Sequence, residues 1–369
     1  MRMSKNVLVV PPRSQRGLSL VELMIALLLG VVLTLGVTQV FVGSSQTYRT
    51  SDAIAFLQEN LRFSTTRISR DARMAGYRGC LIGEPEEHLN TGNAAYVDEL
   101  HSFDIAAIGW EAPNTGLGEE YVIAGFAPGG GGWTNGSGDP VPGAIAPNAI
   151  PGTDILVLNG AVRANVTLQG NPSPPATTIG TVNPSGIDQG TILLVTGGDC
   201  SAGDRFQKSN NANGNTITKA GGGDPPGNLN PGEDLNEYDD EASVYTQRTI
   251  GFFVGDGAGG EPALFQVSLE PGAADPPVEL VSGVENFQVL YGISTTERRA
   301  ERYVPADAVN DWTAVVSVRL GLLMRSGDRI LDEDNTRTFN LVGTEIDPGA
   351  DRRVRLVSTL TIGLRNRLE

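Results

Sequence analysis

An apolar run near the N-terminus constrains this chain more than any other feature. Across residues 18–48 the only charged residue is Glu22, and the most apolar part covers residues 23–42. A helix of about 20 residues is about 30 Å long, enough to cross the hydrocarbon core of a bilayer. The first 17 residues contain no acid and four basic residues, namely Arg2, Lys5, Arg13 and Arg16. Such a leader is expected to stay cytoplasmic, with the residues after Arg49 on the far side of the membrane.

Glu22 does not suit an ordinary membrane segment. A carboxylate in hydrocarbon costs roughly 2.5–3.5 kcal/mol at the helix centre, so such a residue usually has a partner. A secretory signal peptide would have a shorter apolar stretch ending in a small-residue cleavage site. A plain single-span anchor fits the length and leaves Glu22 unexplained. Cleavage after Gly17 would supply a partner, because it creates a new amino terminus at Leu18, four residues before Glu22.

The residues around this point resemble the class III signal of type IV pilins and type II secretion pseudopilins. They are Arg16, Gly17, Leu18, Ser19, Leu20, Val21 and Glu22. The resemblance implies that a prepilin peptidase cuts after Gly17 and N-methylates the Leu18 amine. It also implies that Glu22 pairs with the Leu18 amine of a neighbouring subunit. The family more often has Phe at the first mature position, and Leu18 keeps the hydrophobic character.

The predicted helix continues beyond the apolar run. Residues 44–75 contain neither proline nor glycine, and Gly76 is a natural helix end. An apolar stripe at three- and four-residue spacing predicts a face packed on a core. Its members are Ala53, Leu57, Leu61, Ser64 and Ile68. We therefore expect three regions: a leader at 1–17, a helix at 18–76 (transmembrane at about 18–42, amphipathic at about 43–76) and a globular domain at 77–369.

The globular region is predicted to be rich in β-strands. Short apolar runs lie between turn-forming residues at 154–159, 191–196, 243–254 and 263–269, and the last two runs flank a Gly-rich hairpin turn. Strict alternation at 316–324 and 354–364 predicts half-buried strands. Five arginines lie on the opposite face of that alternation and are expected to be solvated or to form a filament contact: Arg319, Arg325, Arg353, Arg355 and Arg365. The predicted fold class is α+β and pilin-like, with a long N-terminal helix packed on a mainly antiparallel sheet with long Gly/Pro-rich loops.

Charge and cysteine usage exclude several functions. The net charge is −16, and without the leader 23 basic residues face 43 acidic ones, a net charge of −20. An acidic body of this kind argues against nucleic-acid binding. Cys80 and Cys200 lack metal-site spacing, and in an exported domain they are expected to form a structural disulfide.

The sequence contains no catalytic or cofactor motif. His88 and His101 lie in a region that looks like a loop, without a nucleophile motif nearby. Two Gly/Pro-rich stretches, 128–152 and 221–241, are predicted to be excursions from the sheet. The second ends in an acidic cluster that could take Ca²⁺, but the spacing does not match an EF-hand loop and a hydrated loop is favoured. We predict no enzyme activity, no cofactor and no metal site.

Anchors along the whole chain resemble the PilW family of type IV pilus minor pilins. They lie at residues 58–63, 69–80, 152–157, 283–292, 311–312, 317–320, 323–326 and 364–367. The resemblance implies an inner-membrane, single-pass subunit with a periplasmic C-terminal domain, later displayed on a surface pilus. It also implies priming of assembly and a role in adhesion and twitching motility. The expected partners are the prepilin peptidase, other minor pilins, the major pilin and a tip adhesin. The alternatives are a J-like type II secretion pseudopilin and, in another class, a single-span membrane-anchored sensor or enzyme.

Overall fold

The computed structural model describes residues 17, 19–171, 176–221, 225–229, 233–270, 276–296 and 299–367. The chain divides into two compact units, Met1–Asp52 and Ala53–Glu369, which we call unit 1 and unit 2. The boundary falls inside the long helix α1, Leu20–Met74, so α1 contributes to both units.

In unit 1, α1 exposes every side chain from Leu20 to Val42. Within the described residues, α1 is long and apolar enough to cross a membrane. The hydroxyl groups in this part are satisfied inside the helix. Thr34 donates to the Gly30 carbonyl at 2.7 Å and Thr38 donates to the Thr34 carbonyl at 2.8 Å. A polar side chain bonded in this way needs no partner in an apolar environment.

In unit 2, α1 buries one stripe of side chains, as the spacing predicts. Leu57, Leu61, Ser64 and Ile68 are buried, whereas Ala53 is half-buried. Asp71 continues the same stripe and is also buried, although a charged residue is expected to be exposed. The helix ends at Met74, and Gly76 has a φ of +73°, the left-handed conformation that commonly closes a helix.

The rest of unit 2 consists of strands with few short helices. The strands are β1 Glu86–Glu87, β2 Ala107–Trp110, β3 Glu120–Val122, β4 Ile155–Arg163, β5 Leu168–Gly170, β6 Thr178–Thr181, β7 Ile192–Thr196, β8 Gly203–Gln207, β9 Thr216–Thr218, β10 Ser243–Asp256, β11 Pro262–Ser268, β12 Val278–Ser282, β13 Val284–Ile293, β14 Arg302–Val304, β15 Val315–Arg325, β16 Phe339–Leu341, β17 Thr344–Asp347 and β18 Arg355–Gly363. A short helix α2 covers Asp98–His101, and 3₁₀ turns cover Ala306–Ala308, Trp312–Ala314 and Arg365–Arg367.

Two larger sheets form the framework. The first has the order β1-β8-β7-β10-β11-β12, with β4 also paired to β10 and β2 paired to β4. The second has the order β14-β13-β15-β18 and is antiparallel throughout. Two three-stranded sheets, β16-β17-β3 and β5-β6-β9, complete the described strands. The long helix on a mainly antiparallel sheet domain confirms the predicted fold class.

One apolar core joins α1 to both larger sheets. Ile68 from α1 belongs to the same buried cluster as Phe252 from β10 and Leu320 from β15. The predicted hairpin is confirmed, because β10 and β11 pair antiparallel around the turn after Asp256. Deep burial of strands on one core is the main stabilising contribution expected in a domain of this size.

The prediction of half-buried strands was wrong for β15. All its residues are buried except Arg319, which is half-buried. Its second face is covered as well, since Leu323 packs with Leu341 and Ile346. Alternation in sequence does not reveal such a cover, because it is formed by the distant strands β16 and β17. The prediction holds for β18, whose exposed and less exposed residues alternate.

The stretch at 128–152 is an excursion between β3 and β4, as predicted, but part of it packs back onto the core. Ile145, Ala149 and Ile150 are buried in the main core, and the Trp133 indole donates to the Thr153 carbonyl at 2.8 Å. In the stretch at 221–241, residues 222–224 and 230–232 lie outside the described residues. Leu235 is buried there, whereas the acidic side chains from 233 to 241 are exposed, in keeping with a hydrated loop.

Candidate functional site

The candidate processing site lies directly before α1. Gly17 and Glu22 are among the described residues, and Leu18 lies outside them. A Cβ built on Gly17 would meet no atom within 4 Å. The backbone at this position therefore does not itself require glycine, and any requirement for Gly17 would come from a partner that recognises it.

Glu22 has a local partner that sequence reasoning missed. The Ser19 backbone N–H donates to Glu22 Oε2 at 3.1 Å, and the Glu22 backbone N–H donates to Ser19 Oγ at 3.2 Å. This reciprocal pair is a capping box, which satisfies two backbone donors at a helix N-terminus. The Ser-x-x-Glu spacing is the signal that could have revealed it. Glu22 thus stabilises the start of α1 in the single chain, whatever it contacts in an assembly.

The N-terminal part of α1 presents a continuous exposed apolar surface in unit 1. Leu33, Val40 and Phe41 are each more than 70% exposed, and the neighbouring apolar side chains are also exposed. Soluble monomers rarely expose contiguous apolar patches above a few hundred Å², so this surface is suited to lipid or to other helices.

The predicted disulfide is present. Cys80 lies shortly after the end of α1 and Cys200 lies in the turn between β7 and β8, 120 residues further along the chain. The Ile82 N–H also donates to the Cys200 carbonyl at 3.0 Å. The bond therefore ties the segment after the helix to the first large sheet.

Three of the five arginines predicted to be solvated are instead part of an ion-pair network. Arg355 contacts Glu285 at 2.6 Å and Asp351 at 2.6 Å, and both Arg355 and Glu285 have side chains only 1% exposed. Arg325 pairs with Glu285 at 3.3 Å and with Glu261 at 2.7 Å. Burial alone would lower the pKa of Arg355, but its hydrogen bonds to Glu285 and Asp351 raise it. The prediction of a solvated row was wrong here because the acidic partners come from β13 and from loops.

The third arginine of the network is Arg353, which pairs with Glu261 at 3.1 Å. The two arginines outside the network behave differently. Arg319 stacks on the Tyr303 ring, with its guanidinium carbon 3.9 Å from the ring centroid, and Arg365 is exposed. Paired guanidinium groups of this kind contribute to a defined fold rather than to an open charged surface.

A second polar network surrounds His88, which is buried and follows β1 directly. Its Nε2 lies 2.6 Å from Asp204 Oδ1, and its Nδ1 lies 3.0 Å from the Lys219 ammonium group. The Tyr238 hydroxyl donates to the second oxygen of Asp204. Burial lowers the pKa of Lys219 and raises the pKa of Tyr238. His88 lies outside the strands, as predicted, but its burial in a polar network was not predicted.

Glu86, His88 and Asp204 present ligand atoms within 4.8 Å of one another, which is the spacing of a metal site. Both ring nitrogens of His88 are already engaged, however, and Lys219 supplies a positive charge beside them. A divalent cation would have to displace these bonds, so the donors fit an internal network better than a metal site. His101 is also buried, and its Nδ1 accepts from the Val97 N–H at 2.9 Å.

Two buried carboxylates bind backbone groups. Asp154 accepts from the N–H groups of Ala112 and Val289 at 3.0 and 2.8 Å. Glu111 accepts from the Ala306 N–H at 3.2 Å. Burial raises the pKa of Asp154 to about 7; burial and then the charge of Asp154 raise the pKa of Glu111 to about 10. Their oxygens hold β2, β4, β13 and the turn at Ala306–Ala308 together, which is a structural role.

Comparisons with known proteins agree with the site at the N-terminus. Residues 251–366 match the family model of the type IV pilus-assembly protein W, PilW, and residues 12–38 match the prokaryotic N-terminal methylation motif. No curated protein matches the sequence significantly. Among solved structures, the chain is similar to a type IV-like pilin from Thermus thermophilus with 13% identity; the match covers 85% of this chain and 97% of that chain, with a TM-score of 0.33. The chain therefore matches the methylation motif of prepilins near its N-terminus and the PilW family model over residues 251–366, so the resemblance to that family is confirmed.

Proposed function

We propose that this protein is a minor pilin of a type IV pilus. The observation that carries the proposal is the coincidence of the methylation motif with an exposed apolar helix at the same positions. In this proposal a prepilin peptidase cuts after Gly17 and methylates Leu18. The chain is first held in the inner membrane by its apolar segment at about 18–42, with unit 2 in the periplasm.

Assembly then proceeds by contact alone. The exposed part of α1 leaves the lipid and packs among the helices of other minor pilins and the major pilin. Glu22 pairs with the Leu18 amine of a neighbouring subunit, which offsets its cost in an apolar surrounding. Unit 2 stays on the outside of the filament, where it primes assembly at the tip and supports a tip adhesin.

The PilW match over residues 251–366 favours a pilus over a type II secretion pseudopilus. It also favours a filament subunit over a membrane-anchored sensor or enzyme. A sensor of that kind would keep its leader and would not need Glu22, so processing separates the two classes.

The decisive experiment is the mass of the N-terminal peptide of the membrane-extracted chain, with and without the prepilin peptidase. We expect a chain that begins at methylated Leu18, and loss of this form when the peptidase is absent. Gly17→Val should block the cut, whereas Gly43→Val should not. Gly43 is a matched control, because a Cβ at either glycine meets no atom within 4 Å.

An uncut Met1 terminus would contradict the proposal, and so would a cut well downstream of Phe41. The first outcome would favour the anchored sensor or enzyme. The second would favour a plain secreted domain, whose leader would end after the apolar run.

A further inference from the structure

A groove of about 890 Å³ lies in unit 2 beside the end of α1. Its walls come from α1 between Thr65 and Met74, from β4 and β10, and from the C-terminal end of the chain around Leu360 and Arg365. A volume of this size is in the range of ligand-binding clefts. We call it the arginine groove, because arginine is the residue that distinguishes its lining.

The charge of the arginine groove is opposite to that of the whole chain. Asp71 is its one acidic lining residue among the described residues, against five basic ones. The basic residues are Arg70, Arg73, Arg163, Arg248 and Arg365. The chain as a whole carries a net charge of −16. A local concentration of positive charge on an acidic protein attracts an anionic partner.

Three of these arginines are available for a partner. Arg70, Arg73 and Arg365 are exposed, and within the described part of the chain none of them forms an ion pair or side-chain hydrogen bond. This contrasts with the network around Glu285, where each guanidinium group meets a carboxylate. Arginine presents a planar fork of donors that matches a carboxylate or a phosphate.

Asp71, the single acidic residue among the described lining residues, does not cancel the positive charge of the groove. Its side chain is only 4% exposed, and its nearest cations are Arg67 Nε at 3.5 Å and Arg248 at 3.6 Å. No described residue forms a hydrogen bond to Asp71 Oδ2. The guanidinium groups of Arg67 and Arg248 offset the charge of Asp71, so the groove keeps a positive balance for an anionic ligand.

The walls of the groove also contain exposed apolar surface. Met74 is 50% exposed and Val162 is 44% exposed, and both line the groove. Ile250 and Leu360 belong to the same lining. A ligand that fills the groove must therefore offer carboxylate or phosphate groups for the arginines and apolar groups for these side chains.

We propose that the arginine groove binds an extended acidic peptide segment of another protein, in which Asp or Glu alternates with apolar residues. A peptide supplies both features: carboxylates for the arginines and apolar side chains for the walls. A nucleic acid supplies phosphates but no aliphatic side chains for the exposed surface of Met74 and Val162. A long nucleic acid would also be repelled by the net charge of −16 of the chain.

The test uses the full chain in neutral detergent and a fluorescein-labelled octapeptide that alternates Glu with Leu or Val. Fluorescence anisotropy should report binding that weakens with salt. The same peptide with Gln in place of Glu should bind about tenfold more weakly or worse. Binding is measured on processed and unprocessed chains alike, so its failure would not bear on the proposed pilin function.

The variants are matched for charge. Arg70→Glu/Arg73→Glu/Arg365→Glu should weaken binding about tenfold or more, because three exposed ion pairs are lost. Arg302→Glu/Arg329→Glu/Arg337→Glu makes the same change at exposed arginines outside the groove and should have little effect. A triple Arg→Gln variant in the groove should give an intermediate loss, and a thermal melt checks that each variant folds.

Three outcomes would overturn the proposal. Equal losses in the two Arg→Glu triples would mean that net charge, not the groove, attracts the peptide. Equal binding of the Gln peptide would remove the role of the carboxylates. Tight binding of a labelled oligothymidylate without binding of the Glu peptide would assign the groove to a nucleic acid.

Discussion

At the scale of single residues, the same amino acid has opposite roles in two parts of unit 2. Arg355 is buried between Glu285 and Asp351, whereas Arg70 on α1 is exposed and meets none of the described acidic groups. The difference follows from the cost of removing a charge from water, which is tolerated only where partners of opposite charge are close. Burial thus separates the arginines that stabilise the domain from those available for contact.

The buried pair should be sensitive to removal of one partner. Arg355→Ala leaves Glu285 buried with Arg325 at 3.3 Å as its remaining ion pair. We expect a loss of about 3–5 kcal/mol in the free energy of unfolding. Arg352→Ala is the control, because the Arg352–Asp334 pair is more than half exposed on both sides and should contribute at most about 1 kcal/mol. Denaturant unfolding followed by tryptophan fluorescence measures the loss for each variant. Equal losses for Arg355→Ala and Arg352→Ala would contradict the prediction.

Glu111 should make the stability of unit 2 depend on pH. Its pKa is raised from an ordinary value near 4.3 to about 10, so the folded state keeps a proton that the unfolded state releases. The stabilisation is complete below about pH 4 and is lost as the pH rises towards 10. Between pH 5 and 9 the free energy of unfolding of the natural chain should fall as the pH rises. In Glu111→Gln this fall should be smaller, by up to about 1.4 kcal/mol per pH unit.

The matched control for that experiment is Glu120→Gln, which changes an exposed glutamate on β3. It should leave the slope unchanged. If Glu111→Gln also leaves the slope unchanged, or makes the decline steeper, the assignment of a buried proton to Glu111 is wrong.

At the scale of elements, α1 is two kinds of helix joined end to end. Its first part exposes apolar side chains all round, whereas its second part buries one stripe against the sheets. A fully apolar surface suits lipid or a bundle of helices, and a striped helix suits one side of a globular core. The second part is therefore expected to contribute stability to the single chain, and the first part to contribute only in its membrane or assembly.

Ile68 tests the striped part. It is completely buried, so Ile68→Ala should lower the free energy of unfolding by about 2–5 kcal/mol. Phe63 lies on the same helix and is 50% exposed, so Phe63→Ala should cost well under half of that. Chemical denaturation of the two variants in the same detergent gives the comparison. A larger loss for Phe63→Ala would mean that the assignment of the buried face is incorrect.

The disulfide acts on a connection between elements. It closes a stretch with a sequence separation of 120 residues between the segment after α1 and the turn before β8. Replacing both cysteines, Cys80→Ser with Cys200→Ser, should cost about 2–5 kcal/mol. Unfolding with and without a reductant gives the control, because reduction should destabilise the natural chain and leave the double variant unchanged. Insensitivity of the natural chain to complete reduction would contradict the prediction.

At the scale of the whole molecule, one experiment can separate the observed role of Glu22 in the capping box from its proposed pairing with a neighbouring amine. Glu22→Gln keeps the capping box with Ser19, since glutamine can replace glutamate there, and removes the charge. Ser19→Ala removes the hydroxyl group of the capping box and keeps the charge of Glu22. If Glu22 pairs with a neighbouring amine, Glu22→Gln should leave cleavage intact and reduce recovery in sheared filaments at least about tenfold, whereas Ser19→Ala should have a small effect. Normal incorporation of Glu22→Gln would refute the pairing.

The sequence by itself determined the character of the N-terminal segment. A helix that crosses a membrane or enters a bundle is encoded locally, by an apolar run, one glutamate and a glycine before the first turn. The hairpin between β10 and β11, the end of α1 near Gly76 and the cysteine pair were predicted for the same reason. Each depends on residues close in sequence or on the scarcity of a residue type.

Only the tertiary structure decided which side chains are buried on both sides and which charges meet. The burial of Arg355 depends on Glu285, and the environment of His88 depends on Asp204 and Lys219, partners that lie 70, 116 and 131 residues away. The cover of β15 comes from β16 and β17, and the arginine groove gathers residues from α1, β4, β10 and the C-terminal end. Periodicity reports how a segment alternates, whereas the chemistry of a site depends on long-range pairing that periodicity does not contain.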